Sequence, residues 1–246
     1  MIFRQMLHRD PIAASYLFGC GSKGAGVAVD PIGDIAPYLH EAETRGIPLR
    51  FVIDTHIHAD HVSAGRELAA AAGAEYVLFA GAEVSFPFRG VRHGETLEAG
   101  NTKIEVMHTP GHTPEHISLL VTDRVRTDEP WFIVTGHTLM VGDLGRTELA
   151  TSAEEGARAL FRSTKMFRAL PDHIEIMPGA YSGSVCGRSL SGKPSSTIGF
   201  ERRNNKAFRI ESEEEFVRHM LTDVPPAPRE ASQMRAINSG LKAAAA

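Results

Sequence analysis

Residues 55–61 read Thr-His-Ile-His-Ala-Asp-His, and they place four potential metal ligands within six positions. His56 and His58 are two residues apart, so both side chains point to one side at the end of an extended strand, and Asp60 and His61 follow on the turn. Neutral imidazoles and carboxylates are the usual protein ligands of borderline divalent metals. The spacing therefore predicts a metal centre rather than four unrelated surface residues.

Two later histidines have similar surroundings, because each follows a predicted strand and lies among turn residues. His112 lies in residues 109–113, Thr-Pro-Gly-His-Thr, and His137 lies in residues 134–139, Val-Thr-Gly-His-Thr-Leu. Both are further candidates for metal binding. Structural roles are predicted for four histidines that fall at turns or strand ends without a motif, which are His93, His108, His116 and His173.

Predicted strands and helices alternate around these segments. Apolar strands are predicted at 15–19, 26–30, 50–53, 76–79, 103–107, 117–122, 131–135 and 173–177, and helices at 35–45, 63–72, 152–170 and 212–221. Ser152 and Glu155 have the form of a capping box. Residues 179–205 show little periodicity, which predicts a long loop near the site. The pattern indicates an α/β fold with two sheets packed face to face, in one domain over 1–246 with a disordered tail at 241–246.

Composition narrows the classes of function. The chain carries 26 Lys and Arg against 30 Asp and Glu, and the basic residues are scattered, so no nucleic-acid partner is expected. The apolar run at 11–20 is too short to span a membrane and lacks the order of a signal peptide, which predicts a cytoplasmic protein. Cys20 and Cys186 lie far apart, and such a pair is expected to be reduced in the cytoplasm.

The pattern His-x-His-x-Asp-His followed by Thr-Pro-Gly-His-Thr resembles the metallo-β-lactamase superfamily, close to glyoxalase II and the persulfide (sulfur) dioxygenases. The resemblance extends from the N-terminal hairpin to about Asn205. Residues 132–149 and 184–201 are most similar to the dioxygenase branch. The resemblance implies an αββα sandwich of two mixed sheets with outer helices.

Two positions depart from the family pattern. The family's metal-binding aspartate falls at His137, and its last histidine falls at Ala180. These changes leave Asp60 and His61 as the ligands of a second metal, so one divalent metal per chain is expected.

The resemblance to the dioxygenases assigns the metal ligands to His56, His112 and His137. Fe(II) is favoured, and Zn(II) is the alternative, because imidazole suits both. Asp143 is the other carboxylate candidate, but the Thr-Gly-x-Thr-Leu frame fixes the family position at His137. Asp143 is then a turn residue that bonds to the backbone, or a group that orients a ligand.

The resemblance implies a dioxygenase that uses O₂ to oxidise glutathione persulfide, or a related small persulfide, to sulfite. His58, Asp60 and His61 would orient ligands or move protons. Cys186 lies in a Gly- and Ser-rich loop, where a thiolate near the metal can carry sulfane sulfur; an inert buried thiol is the alternative.

Two residues are candidates for contact with substrate. Arg146 suits the carboxylate of a thiol such as glutathione, or it ties down its own loop. Tyr181 contacts substrate or covers apolar surface. A thioester hydrolase of the glyoxalase II type is the alternative function, and a sulfur carrier or non-catalytic protein with a degraded site is a third. The sequence leaves a homodimer open.

Overall fold

Two six-stranded mixed sheets form the framework of the protein, in a computed structural model that describes residues 1–224 and 226–241. Within each sheet the strands are neighbours in chain order. The first sheet contains β1 (Ile2–Arg9), β2 (Ile12–Cys20), β3 (Ala25–Val29), β4 (Leu49–Ile53), β5 (Glu75–Phe79) and β6 (Arg89–Val91). The second contains β7 (Thr96–Ala99), β8 (Thr102–His108), β9 (Ile117–Asp123), β10 (Phe132–Gly136), β11 (Glu175–Pro178) and β12 (Ser196–Thr197).

The two sheets share one apolar interior. Strands β3 to β6 are parallel, whereas β7 to β10 are antiparallel. Alternate residues of both sheets face each other, and Phe18 meets Phe132 edge to face with ring centroids 5.5 Å apart. The intervening residues face outward and are also buried, which explains why these strands read as apolar runs.

Helices cover both outer faces. The first sheet packs against α1 (Ala36–Thr44) and α2 (Gly65–Ala72), and the second against α3 (Ala153–Arg168), α4 (Ile198–Asn204) and α5 (Glu213–Leu221). A last helix, α6 (Ala231–Asn238), follows, and short 3-10 turns span Gly21–Lys23 and Ala207–Arg209. The predicted αββα sandwich is therefore confirmed. Among the described residues, no helix is both long and apolar enough to span a membrane.

The eight predicted strands and four predicted helices are all present, with ends shifted by a few residues. Four strands were missed, because β1 is a half-buried edge strand and β6, β7 and β12 have three, four and two residues. The prediction of one long loop at 179–205 was wrong, since β12 and α4 lie inside it. The predicted tail lies outside the described residues, except for Leu241.

The loop that carries His112 lies directly on the backbone of α3. Gly111 has a φ of +143°, and a Cβ at this position would lie 2.5 Å from the Cα of Leu160. The hydroxyl of Ser163, also on α3, donates to the carbonyl of Pro110 at 2.6 Å. This close approach fixes the height of His112 above the sheet, and only glycine allows it.

We predict that Gly111→Ala lowers the free energy of unfolding by about 1–3 kcal/mol, because backbone cannot move aside as a side chain can. Urea denaturation of the metal-free protein measures the change. Gly192→Ala is the matched control, since a Cβ there meets nothing within 4 Å, and it should change stability by less than about 0.5 kcal/mol. Equal effects of the two substitutions would contradict the role given to Gly111.

Candidate metal centre

Asp30 holds the start of the loop at residues 54–63, which we call the metal loop. Its carboxylate accepts hydrogen bonds from the backbone N–H of Thr55 at 2.6 Å and from the Thr55 hydroxyl at 2.8 Å. Because the hydroxyl proton is directed to Asp30, the Thr55 oxygen accepts from Nδ1 of His56 at 2.9 Å. The lone pair of His56 therefore lies on Nε2, the usual arrangement of a metal-binding histidine.

His56, His112 and His137 converge from three different loops. One ligand nitrogen from each lies within 4.8 Å of the other two, and all three side chains are buried. Nδ1 of His112 donates to the carbonyl of Arg146 at 2.8 Å, which leaves its Nε2 as the donor to a metal. That Nε2 lies 3.4 Å from Nδ1 of His137. The structure thus brings together the three predicted ligands.

His116 supports this set from behind, a role that the sequence analysis missed. The backbone N–H of His137 donates to Nε2 of His116 at 3.1 Å. The hydroxyl of Thr138 donates to the carbonyl of Thr109, so its oxygen accepts from Nδ1 of His116 at 2.9 Å. His116 is thereby fixed as a neutral imidazole that orients the turn at His137. Its only signal in the sequence is a polar residue at the start of a buried strand.

Burial keeps these four imidazoles neutral. Loss of contact with water lowers the pKa of His56, His116 and His137, and it lowers that of His112 to about 3. Neutral imidazoles hold their lone pairs free for a metal at neutral pH, without competition from protons.

His58, Asp60 and His61 form a second set of donors that lie within 4.8 Å of one another. Nε2 of His58 lies 3.3 Å from Asp30, and although burial opposes protonation, this carboxylate raises the pKa of His58 to about 9. Burial favours the neutral form of Asp60, yet its interaction with the neighbouring His61 holds the pKa of Asp60 well below its usual range. His58 is therefore a cation paired with Asp30, and Asp60 is an anion.

Several buried atoms at this point have no hydrogen-bond partner among the described residues. They include Nε2 of His56, Oδ2 of Asp60 and Nε2 of His61, whereas Oδ1 of Asp60 lies 3.1 Å from Nδ1 of His61. Each buried polar atom left unpaired costs about 1–3 kcal/mol, so such a cluster needs a compensating partner. A divalent cation fits, because imidazole and carboxylate donors suit both iron and zinc.

Cys186 reaches the same centre from the loop after β11. Its thiol is fully buried, and its sulfur lies within 4.8 Å of donor atoms of Asp60 and His137. Burial and, second, the charge of Asp60 raise the pKa of the thiol well above its usual range. The catalytic role of Cys186 stays a prediction.

The guanidinium of Arg146 is in contact with other parts of the protein. It forms an ion pair with Glu148 and donates to the carbonyl of Val185 at 3.0 Å. The Arg146 backbone joins two parts of the site, since its carbonyl accepts from His112 and its N–H donates to the carbonyl of Cys186 at 3.2 Å. Substrate binding by Arg146 stays a prediction, and it would require the guanidinium to leave Glu148.

Tyr181 and Asp143 hold the same loop region in place. The hydroxyl of Tyr181 donates to the carbonyl of His8 at 2.6 Å, so its contact with substrate also stays a prediction. The carboxylate of Asp143 accepts from the backbone N–H groups of Leu144 and Arg188. The turn role predicted for Asp143 is confirmed, and among the described residues it belongs to no cluster of metal donors.

Helix α6 clamps the metal loop from outside, although it was not predicted. The amide nitrogen of Asn238 donates to the carbonyls of His58 at 2.9 Å and His61 at 2.8 Å. Its amide oxygen accepts from the N–H of Ser63, and Arg235 donates to the carbonyl of Ile57 at 2.7 Å. A cavity of about 740 Å³ lies between α6 and the loops that carry the histidines.

We predict that acidification destabilises the metal-free protein. The pKa of His112 is about 3 in the folded protein and about 6.5 when unfolded, so below pH 6.5 the unfolded chain binds protons that the folded state refuses. From pH 7 to pH 5 this residue alone should cost about 2 kcal/mol. The raised pKa of His58 acts in the other direction and adds about 0.8 kcal/mol over the same interval, because the unfolded chain takes up this proton near pH 6.5, so the loss at His112 is larger than the gain.

Urea denaturation in chelator at pH 7, 6 and 5 measures this dependence. His112→Asn is the test variant, because the amide of Asn can keep the bond to Arg146 without taking up a proton. The variant should lose less stability over this pH interval than the wild type does. An unchanged pH dependence would show that His112 is not held neutral.

We predict that Asn238→Ala weakens metal binding by about tenfold or more, because the carbonyls of His58 and His61 lose the groups that fix them. Competition with a chelator measures the affinity. Gln233→Ala is the control, since Gln233 is an exposed residue on the same helix and should leave the affinity unchanged. A normal affinity in Asn238→Ala would mean that the metal loop holds its shape without α6.

A four-layer αββα sandwich with a buried, histidine-rich centre at the ends of its strands defines a class of metal-binding proteins. The chain belongs to the metallo-beta-lactamase superfamily, whose sequence profile matches residues 12–179. This match covers the metal loop, His112 and His137. The family suggested by the sequence motifs is therefore confirmed.

Known proteins with two different activities are similar in sequence to this chain. The hydroxyacylglutathione hydrolase of Polaromonas sp. is 32% identical over 176 residues, which are 67% of this chain and 60% of that protein. The mitochondrial persulfide dioxygenase ETHE1 of Homo sapiens is 26% identical over 236 residues, which are 94% of this chain and 84% of that protein.

Two solved structures have the same fold over almost the whole chain. A metallo-beta-lactamase from Staphylococcus aureus superposes with a TM-score of 0.92 at 35% identity, covering 97% of this chain and 72% of that one. ETHE1 from Myxococcus xanthus superposes with a TM-score of 0.85 at 28% identity, covering 98% of this chain and 99% of that one.

Proposed function

We propose that the protein is a metal-dependent dioxygenase that oxidises the outer sulfur of a small persulfide, such as glutathione persulfide, to sulfite. The observation that carries this proposal is the buried set of His56, His112 and His137, whose ligand nitrogens lie within 4.8 Å of one another. Three protein ligands on one face leave positions open beside them, as oxygen-activating iron centres require. Similarity to persulfide dioxygenases over more than nine-tenths of the chain supports the same reaction.

The overall reaction consumes a persulfide, dioxygen and water, and it yields the thiol, sulfite and two protons. Ferrous iron, when bound, supplies the redox chemistry, and zinc would not. The protein fixes the ligand geometry through Thr55, the Arg146 carbonyl and His116. Burial excludes bulk water from the centre, which protects a reactive sulfur species from side reactions.

Asp60 is the best candidate to accept a hydrogen bond from the S–H group of the persulfide. It is an anion, and it lies next to the three-histidine set through His137. Nδ1 of His61 lies 3.1 Å from Asp60 and holds this carboxylate in place. His58 stays paired with Asp30, so its role is to hold the metal loop and supply positive charge.

The candidate for the substrate cleft is the cavity beside α6, which reaches the metal loop at Ile57 but is not lined by the three histidines themselves. Its volume of about 740 Å³ falls in the range of small-molecule sites. It is lined by Ile57 of the metal loop, Glu115 of the loop that carries His112, and Arg235 of α6. A charged cleft wall of this kind suits a peptide-like thiol such as glutathione better than an apolar substrate.

A thioester hydrolase of the glyoxalase II type is the second candidate. The 32% identity to a hydroxyacylglutathione hydrolase favours it, although the matched part covers 60% of that protein. The reaction would need a metal-activated hydroxide rather than dioxygen. The third candidate is a sulfur carrier or a non-catalytic protein with a degraded centre. It is supported by His137, which replaces the metal-binding aspartate of the family.

Metal analysis of anaerobically purified protein, combined with O₂ uptake on glutathione persulfide, tests the proposal. We expect about one iron per chain in the three-histidine set and persulfide-dependent O₂ uptake. His56→Ala should lose both, and His93→Ala should keep both, because His93 is an exposed histidine outside the site. Zinc with hydrolysis of a glutathione thioester and no O₂ uptake would favour the second candidate instead.

The variant His137→Asp separates the third candidate from the other two. In an active enzyme this change alters a ligand, so metal content or turnover must change. If neither changes, His137 is not a working ligand, and the non-catalytic interpretation is favoured.

A further inference from the structure

Arg235 lines the cavity beside α6 with a guanidinium that is only partly engaged by the protein. Its Nη1 donates to the carbonyl of Ile57 at 2.7 Å and lies 3.5 Å from the carboxylate of Glu115. Among the described residues, neither Nε nor Nη2 of Arg235 has a hydrogen-bond acceptor. The side chain is 20% exposed, so a small ligand in the cavity can reach these two donors.

Arg146, the arginine that the sequence suggested for a substrate carboxylate, is engaged elsewhere. Its guanidinium pairs with Glu148 and donates to the carbonyl of Val185 at 3.0 Å. The side chain is only 4% exposed, and among the described residues it is not one of those that line the cavity beside α6. Arg235 is therefore the better placed cation for an anionic group in this cavity.

The guanidinium of Arg235 is held in place before any ligand binds. Glu115 accepts from the backbone N–H of Ile57 at 2.9 Å, so Arg235 and Glu115 together hold both polar backbone groups of Ile57. One turn further along α6, Asn238 donates to the carbonyls of His58 and His61 and fixes the helix on the metal loop. Because these contacts fix one edge of the planar guanidinium, binding through the other edge costs little side-chain entropy.

We propose that Arg235 binds the glycine carboxylate of glutathione persulfide and so selects persulfides whose thiol carries a free carboxylate. This role rests on the proposed function for its substrate. A guanidinium binds a carboxylate through two parallel N–H bonds, which adds geometric selectivity to the charge. The γ-glutamyl carboxylate of glutathione suits Arg235 less well, because it has an ammonium group on the same carbon that a guanidinium repels. The glycine carboxylate has no such neighbour.

Binding of glutathione and of its glycine ethyl ester tests this role without any measurement of turnover. Isothermal titration calorimetry of the metal-loaded protein without oxygen gives both dissociation constants. We expect the ester to bind wild-type protein at least about tenfold more weakly than glutathione does, because it loses a charge-assisted contact. With persulfides as substrates, the same esterification should raise KM more than it lowers kcat.

Arg235→Gln should bind glutathione and the ester with equal affinity. Its amide can still donate to the carbonyl of Ile57, so the metal loop keeps this contact, and metal analysis verifies that the centre is intact. Arg235→Lys keeps the charge without the planar fork, so it should distinguish the two ligands less than wild type does. Arg162→Gln is the matched control, since Arg162 is an exposed arginine on the outer helix α3, and it should keep the full difference.

Two outcomes would overturn the role given to Arg235. Equal affinity of wild-type protein for glutathione and its ester would do so without any variant. A difference that persists in Arg235→Gln would show that another group binds the carboxylate. Failure of the proposed function is seen separately, because O₂ uptake would then be absent while the difference between the two ligands remains.

Discussion

The site depends on one buried carboxylate, that of Asp30 at the end of β3. It accepts both the backbone N–H and the hydroxyl of Thr55, and it pairs with His58. Through Thr55 it also sets which nitrogen of His56 carries the proton. A single anion thus fixes the start of the metal loop, orients one ligand and keeps a neighbouring histidine charged. Charge-assisted hydrogen bonds in a buried setting are strong enough to do this.

The centre concentrates groups that are costly to bury. Four neutral imidazoles, the ion pair of His58 with Asp30 and the Asp60 carboxylate beside His61 are buried at the strand ends of two apolar sheets. Such an arrangement is destabilising by itself, and the fold tolerates it because apolar packing and outer helices hold the strands on both sides. A bound metal would offset part of the free energy lost by burying these groups, and metal binding would therefore stabilise the fold.

Much of the framework was predictable because its signals are local. The predicted strands and helices follow from apolar periodicity and from caps such as Ser152, whose hydroxyl accepts from the N–H of Glu155. The edge strand β1 and helix α6 were not predicted, since their residues are only partly buried and gain stability from distant partners. Asn238 illustrates this, because its partners His58 and His61 lie about 180 positions earlier in the chain.

The sequence alone determined the family, the two-sheet architecture and the three histidines that converge, because the spacing of these residues is a local property of each motif. Tertiary structure decided the rest. It placed Cys186 beside Asp60, gave His116 its supporting role and turned the guanidinium of Arg146 toward Glu148. These relations depend on which loops meet at the end of the sandwich and on how deeply each group is buried. The distances between side chains of different loops, and the burial of those side chains, cannot be deduced from the order of residues within a single motif.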